Sequence, residues 1–220
     1  MNLIKLATVL FWFLLCAYGQ EDSRSQKILH DLSEKFKTYP GVEIKFSVAA
    51  KQFYSDSEST YTGSIWLKGN MYKFVTEDYI IYFDGSKIYQ YMPEVNEVNV
   101  ALPETGTENE DFQLMNPQTF FTFSSKNFKS NLVKESTQNG RKVYEIDLYP
   151  VQIKDSQYSR VKLYIENSSL QIAGLNAFMK DGTQYRLSFE KYKVLQTLSD
   201  SFFKFNAKEY PGVEIIDLTF

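Results

Sequence analysis

A single cysteine cannot form a disulfide within the chain, so no cross-linked scaffold holds these 220 residues together. Histidine is equally scarce. One residue removes the usual nitrogen and sulfur ligands of a metal centre and leaves only His30 on which a Ser-His-Asp or Cys-His arrangement could be built. His30 falls between Leu29 and Asp31 in a helical stretch and reads as an exposed helix residue. Ten glycines and six prolines form neither a linker between domains nor a phosphate-cradling loop. Positive charge is also short: 24 Lys and Arg against 27 Asp and Glu leave a net charge of −3, which offers no footprint for nucleic acid. The acidic residues are scattered. None of Glu108, Glu110 and Asp111 stands in an apolar strand that would raise a carboxyl pKa for acid–base work. With no catalytic, metal or cofactor constellation, the sequence reads as a binding protein and not an enzyme.

What the chain has in plenty is apolar and aromatic surface. Hydrophobic residues make up 43% of it, with 18 Phe and 16 Tyr, which excludes a solvated, disordered chain. The first 19 residues stand apart. Lys5 precedes an uncharged run from Leu6 to Cys16, about 11 residues where a membrane span needs roughly 20. Ala17-Tyr18-Gly19 then places small residues three and one before Gln20, as a signal peptidase requires. Residues 1–19 are expected to be a cleaved secretory signal peptide, leaving residues 20–220 as one exported domain. An uncleaved anchor helix and a lipid-modified Cys16 are the alternatives; the bulk of Leu15 speaks against the second.

One helix is expected after the leader, capped by Ser23 or Ser25, with Ile28, Leu29, Leu32 and Phe36 on one face and a stop at Tyr39-Pro40-Gly41. Period-2 alternation follows nearly to the end. Phe46, Ile65, Leu67, Val161, Leu163, Leu187 and Phe189 fall on the dry parity of strands whose other parity is charged or hydroxylated. Asp84-Gly85, Asn139-Gly140 and Asp181-Gly182 mark hairpins. About ten strands are expected, mostly antiparallel. A second, short and apolar helix should start at Asn116-Pro117 and carry Phe120, Phe121 and Phe123. A sheet this large with so few helices must curl to hide its dry face. The same periodicity fits a filled interior and an open one, and Phe120, Phe121 and Phe123 fit either a lid or a permanent plug. In Tyr79-Ile80-Ile81-Tyr82-Phe83 both parities are apolar and no face can be assigned.

In order along the chain stand Gly63-Ser64-Ile65-Trp66-Leu67-Lys68, Tyr72-Lys73-Phe74, the run from Asp84-Gly85 through Tyr89 to Met92-Pro93, Asn116-Pro117, Phe203-Lys204-Phe205, and Pro211-Gly212-Val213-Glu214. Together these resemble the LolA family, periplasmic carriers that move lipoproteins from the inner to the outer membrane of Gram-negative bacteria. The resemblance implies a mainly β (α+β) fold: a curved antiparallel sheet forming an incomplete β-barrel, with short helices as a lid over an apolar cavity. It implies a lipid-binding set of Phe46, Ile65, Leu67, Tyr72, Phe74, Tyr89, Phe120, Phe121, Phe123, Leu148, Val161, Leu163, Leu187 and Phe189. It also implies acylated lipoproteins as cargo, transient docking to an inner-membrane lipoprotein-release transporter and an outer-membrane acceptor, a monomer, a periplasmic location, and no cofactor or metal. One departure stands out. Members of the family often carry Arg-Pro after the position of Lys68, and the Arg ties the lid to the sheet; this chain has Gly69-Asn70. Binding or sensing of another lipid or lipid-linked molecule, or a packed module that transports nothing, are the other functions such a chain could serve.

Overall fold

The computed structural model describes residues 22–52, 58–103, 128–154 and 156–219. The expectations for residues 1–19 and for the segment headed by Asn116 and bearing Phe120, Phe121 and Phe123 lie outside them.

The helix, α1, runs from Ser23 to Lys37. Its cap is Asp22, not Ser23 or Ser25. One carboxylate oxygen accepts from the Arg24 amide at 3.0 Å, and the other accepts from the Leu132 amide at 2.9 Å. One side chain therefore satisfies an orphan donor of the helix and a donor of a distant strand. The Ser25 hydroxyl is buried against the Ser130 hydroxyl, 2.7 Å away. Ile28, Leu29 and Leu32 form the buried face, and the helix stops at Thr38, just before Pro40-Gly41. Asp22→Ala should cost about 1–2 kcal/mol in urea unfolding, the usual range for a lost cap. Asp22→Asn, whose one carbonyl oxygen can accept one of the two bonds, should lose less.

Twelve strands follow among the described residues, where the alternation suggested about ten: β1 (Val42–Lys51), β2 (Glu58–Lys68), β3 (Met71–Val75), β4 (Ile80–Phe83), β5 (Ile88–Met92), β6 (Glu97–Ala101), β7 (Phe128–Gln138), β8 (Arg141–Pro150), β9 (Tyr158–Glu166), β10 (Ile172–Met179), β11 (Gln184–Val194) and β12 (Glu214–Asp217). They form one sheet in the order β12-β6-β5-β4-β3-β2-β1-β11-β10-β9-β8-β7. Two antiparallel meanders, β1 to β6 and β7 to β11, are joined where β1 pairs with β11. The three expected hairpins are present, and Asn139 and Gly140 both take positive φ, as a tight two-residue turn demands. The sheet is curved but open, because its margins β12 and β7 do not pair with each other. Edge strand β7 is blunted by a bulge between Leu132 and Lys134 and by the Asp22 carboxylate on its outer amide.

A parallel pairing, β12 with β6, departs from the mostly antiparallel expectation. After β11 the chain crosses the back of β2 to β6 and returns as an edge strand. Residues 195–213 of this strap include two 3-10 turns, Asp200–Phe203 and Ala207–Glu209.

Candidate functional site

Alternation sorts the sheet into two faces. The inner face carries the main buried cluster, to which α1 adds Ile28, Leu29 and Leu32. In register across it, Leu163 lies between Ile146 and Leu175, and Leu175 meets Leu187. The centre of this half, β8 to β10, is aliphatic, with Phe189 of β11 at its border. Besides the Asp22 and Ser25 ties, the Lys35 ammonium donates to the Ser169 carbonyl between β9 and β10, so α1 is held at both ends over these strands.

The other half, β1 to β4, is aromatic. The rings of Phe46 and Phe74 stack at 4.9 Å, Phe74 stacks on Tyr79 at 5.9 Å, and Tyr72 meets Phe83 at 5.2 Å. Gly63 makes room for this row. A Cβ there would stand 2.4 Å from the tip of the Phe46 ring and 2.5 Å from the Val75 carbonyl oxygen, so only glycine lets the ring lie over β2. Burial pushes the Tyr72 phenol pKa well up, which keeps the hydroxyl protonated and the face free of charge.

Phe46, Ile65, Leu67, Tyr72, Phe74, Leu148, Val161, Leu163, Leu187 and Phe189 all lie in this one inner cluster. Tyr89 does not. It pairs in register with Tyr82 and Val100 on the back face, where its ring stacks on Phe205 at 5.7 Å. The correction has a physical cause: the strap covers the back of β5 and takes the rings of Tyr89 and Tyr91, while the inner parity of that strand holds Ile88, Gln90 and Met92. Ile44, Val48, Ile146, Ile165, Ile172 and Leu175 join the cluster where alternation held the signal; Ile81 and Phe83 join it from a segment whose two parities are both apolar.

The back face of β2 to β6 holds a second, smaller core beneath the strap. Phe202 meets Trp66 edge-on at 5.5 Å, Phe205 stacks on Tyr210, and the Tyr82 and Tyr210 hydroxyls share a hydrogen bond of 2.6 Å. The Lys73 ammonium sits 4.6 Å from the Tyr82 ring centre and 4.7 Å from that of Phe202. Burial lowers its pKa, and nearby Glu209 partly restores it. Lys68 donates to the Leu198 carbonyl and pairs with Asp200 at 2.7 Å, tying the strap to β2. Gly69, where the family's Arg would fall, has φ +56 and turns β2 into β3 with open space around it.

Among the described residues, neither the lone histidine nor the buried acids are arranged for acid–base chemistry. His30 is exposed on α1. The buried acids Glu145 and Asp147 lie on the back of β8 and are matched by Lys162 and Arg160, with Asp147 at 3.0 Å from each cation.

The site is thus an open, curled sheet whose inner face is apolar over β1 to β4 and β8 to β11, with a helix laid on it. A family model described as outer membrane lipoprotein carrier protein LolA matches residues 15–184. The chain belongs to the LolA family. The match ends at the start of β11, so the strap and β12 lie beyond it. No curated protein matches in sequence. Among solved structures, an uncharacterized conserved protein from Thermus thermophilus aligns at TM-score 0.61 and 9% identity, covering 89% of this chain and 99% of that one. A DUF1329 family protein from Desulfovibrio piger aligns at TM-score 0.52 and 12% identity, covering 84% and 98%. A putative outer membrane lipoprotein-sorting protein domain from Vibrio parahaemolyticus aligns at TM-score 0.48 and 11% identity, covering 82% and 96%. At such identities the first two likenesses speak to the fold alone.

Proposed function

We propose that this LolA-family chain is a non-enzymatic periplasmic carrier that shelters the acyl chains of lipoproteins against its inner face and moves them from the inner to the outer membrane. The observation that carries the reading is the aromatic half of that face: Phe46, Phe74 and Tyr79 stacked over Gly63 on an open sheet, beside an aliphatic half already occupied by α1. A triacylated cargo has about 45 methylenes, each costing roughly 0.8 kcal/mol in water, so unaided passage through an aqueous compartment is prohibitive. Flat rings supply large apolar area with little rotamer loss, which suits a surface that must both hold and release a chain. The leader, the docking to an inner-membrane transporter and the handover to an outer-membrane acceptor belong to the same proposal. They rest on family membership and on the composition of residues 1–19.

The test is native mass spectrometry of the protein purified from the periplasm of its producing cells. Acylated protein bound one to one is the expected result, with its acyl groups intact after prolonged incubation. Free lipid alone would reassign the chain to lipid binding on the same scaffold. Cargo recovered without its acyl chains would make it a hydrolase. An empty protein that also fails to bind a fluorescent fatty-acyl probe would leave a structural module. Gly63→Val, which drives a side chain into the Phe46 ring, should weaken probe binding severalfold more than an exposed substitution at Gly140 does.

A further inference from the structure

The charge of this chain is divided across its sheet. Residues 58–103 and 195–219, which build β2 to β6, the strap and β12, carry ten acidic against five basic side chains. Residues 42–51 and 128–194, which build β1 and β7 to β11, carry thirteen basic against eight acidic. A modest net charge of −3 therefore hides a bipolar molecule. On the basic side, the cations concentrate on the back of β1 and β11. Lys45, Lys51, Arg186, Lys191 and Lys193 are all exposed there. Lys45 and Lys191 stand directly opposite each other in register, an arrangement that costs stability between like charges. Lys193 has a carboxylate near it, Glu43 at 4.0 Å, and Glu190 stands beside Lys191 in the β1–β11 irregularity. Among the described residues, Lys45, Lys51, Arg186 and Lys191 have no ion-pair partner.

The floor between these cations is flat. Ser47 faces Ser188, Ala49 faces Arg186, and Gly174 of β10 lies beside Ser188. The strip extends over the seven residues from Lys45 to Lys51, about 20 Å of strand. The exposed large apolar residues lie elsewhere: Val95, Ile215 and Leu218 at the acidic margin, and Val133, Tyr149, Val151 and Ile153 near β7 and β8. Val194, next in the chain after Lys193, takes the inner parity. A protein interface is normally centred on buried aromatic or apolar anchors, and this surface offers none. A layer of phosphate headgroups needs no such anchor; it needs spaced cations over hydroxyls.

We propose that the back of β1 and β11 is a docking surface for the anionic headgroups of a lipid bilayer, with Lys45, Arg186 and Lys191 at its centre. Docking would hold the carrier at a membrane through one face while the opposite, apolar face stays free. The proposal stands independently of what the inner face carries.

The test is co-sedimentation of residues 20–220 with phosphatidylglycerol–phosphatidylcholine vesicles, against phosphatidylcholine vesicles alone. Binding should require phosphatidylglycerol and should fall steeply as salt is raised from 0.1 to 0.5 M, where screening shortens to a few ångströms, roughly 4. The combined variant Lys45→Gln, Arg186→Gln, Lys191→Gln should bind on the order of a hundredfold more weakly, with a thermal midpoint no lower than the parent's, because all three side chains are exposed and the Lys45–Lys191 repulsion is relieved. Glu97→Gln with Glu214→Gln, at the acidic margin, should bind as the parent does or more tightly. Equal binding to neutral vesicles, no binding to either, or a combined variant that still binds like the parent would each overturn the proposal. Tighter capture of a poly-glutamate peptide than of the vesicles would also overturn it, and would assign the strip to an acidic protein. Binding of the fatty-acyl probe, measured on the same variant, is expected to be unchanged, so failure of this proposal and failure of the carrier reading are told apart.

Discussion

Leu163→Lys is expected to leave no cooperatively folded protein, whereas Tyr164→Lys, one residue further on, should fold and lose about 1 kcal/mol. Leu163 is fully buried at the centre of the inner face, with Ile146 on one side and Leu175 on the other. Neither can accept a hydrogen bond from an ammonium, and a lone charge desolvated among aliphatic side chains is among the costliest substitutions a core can meet. Tyr164 has the opposite parity. It is half-buried on the back face, where its hydroxyl accepts from the Asn176 amide at 3.1 Å. A lysine there loses that bond and some ring contact but keeps its ammonium in water. Circular dichroism and urea unfolding of the two variants decide the matter; equal tolerance would mean that the register is wrong. Leu163→Ala gives a graded version, with an expected loss of about 2–5 kcal/mol.

The second large effect concerns the strap. Phe203→Ala should destabilise the protein by about 3–5 kcal/mol, as truncation of a wholly buried ring does elsewhere. Phe203 is fully buried, yet it is not part of the inner cluster. It belongs with Tyr82, Tyr91, Val98 and Val100 to the back-face core. Lys204→Ala, at an exposed neighbour, should change stability by less than about 0.5 kcal/mol. The readout is the urea midpoint together with binding of a dye for exposed apolar surface, since a loosened strap would uncover Trp66, Tyr82 and Tyr89. A Phe203→Ala protein as stable as its parent, with no dye binding, would show that the strap rests on the sheet without supporting it.

These two variants also separate what could be read early from what could not. The parity of Leu163 is visible in Val161, Lys162, Leu163, Tyr164 and Ile165 alone, because one face of β9 is dry and the other carries a lysine and a phenol. The parity of Tyr79 to Phe83 is not visible. In the structure Ile81 and Phe83 face inward while Tyr82 faces the strap, and two covered faces leave no polar side chain to mark either one. Tyr89 lies on the back face for a different reason: the dry side of β5 is the one beneath the strap, and Gln90 stands on its inner parity.

The sequence by itself determined the strand-rich class, the three hairpin turns, the inner parity of most strands and the family. Each is a local property, carried by a period of two, by an Asn-Gly or Asp-Gly pair, or by the order of short motifs. Tertiary structure alone decided the rest. The cap of α1 is Asp22 because its second oxygen meets an amide 110 residues away. The return of residues 195–217 to the far edge as a parallel strand leaves no periodic trace, since β12 is four residues long and largely exposed. The opposed lysines of β1 and β11 lie 146 positions apart and meet only when two meanders join. Local geometry writes itself into residue spacing; pairing between distant segments is settled by which surfaces remain to be covered once the local elements exist.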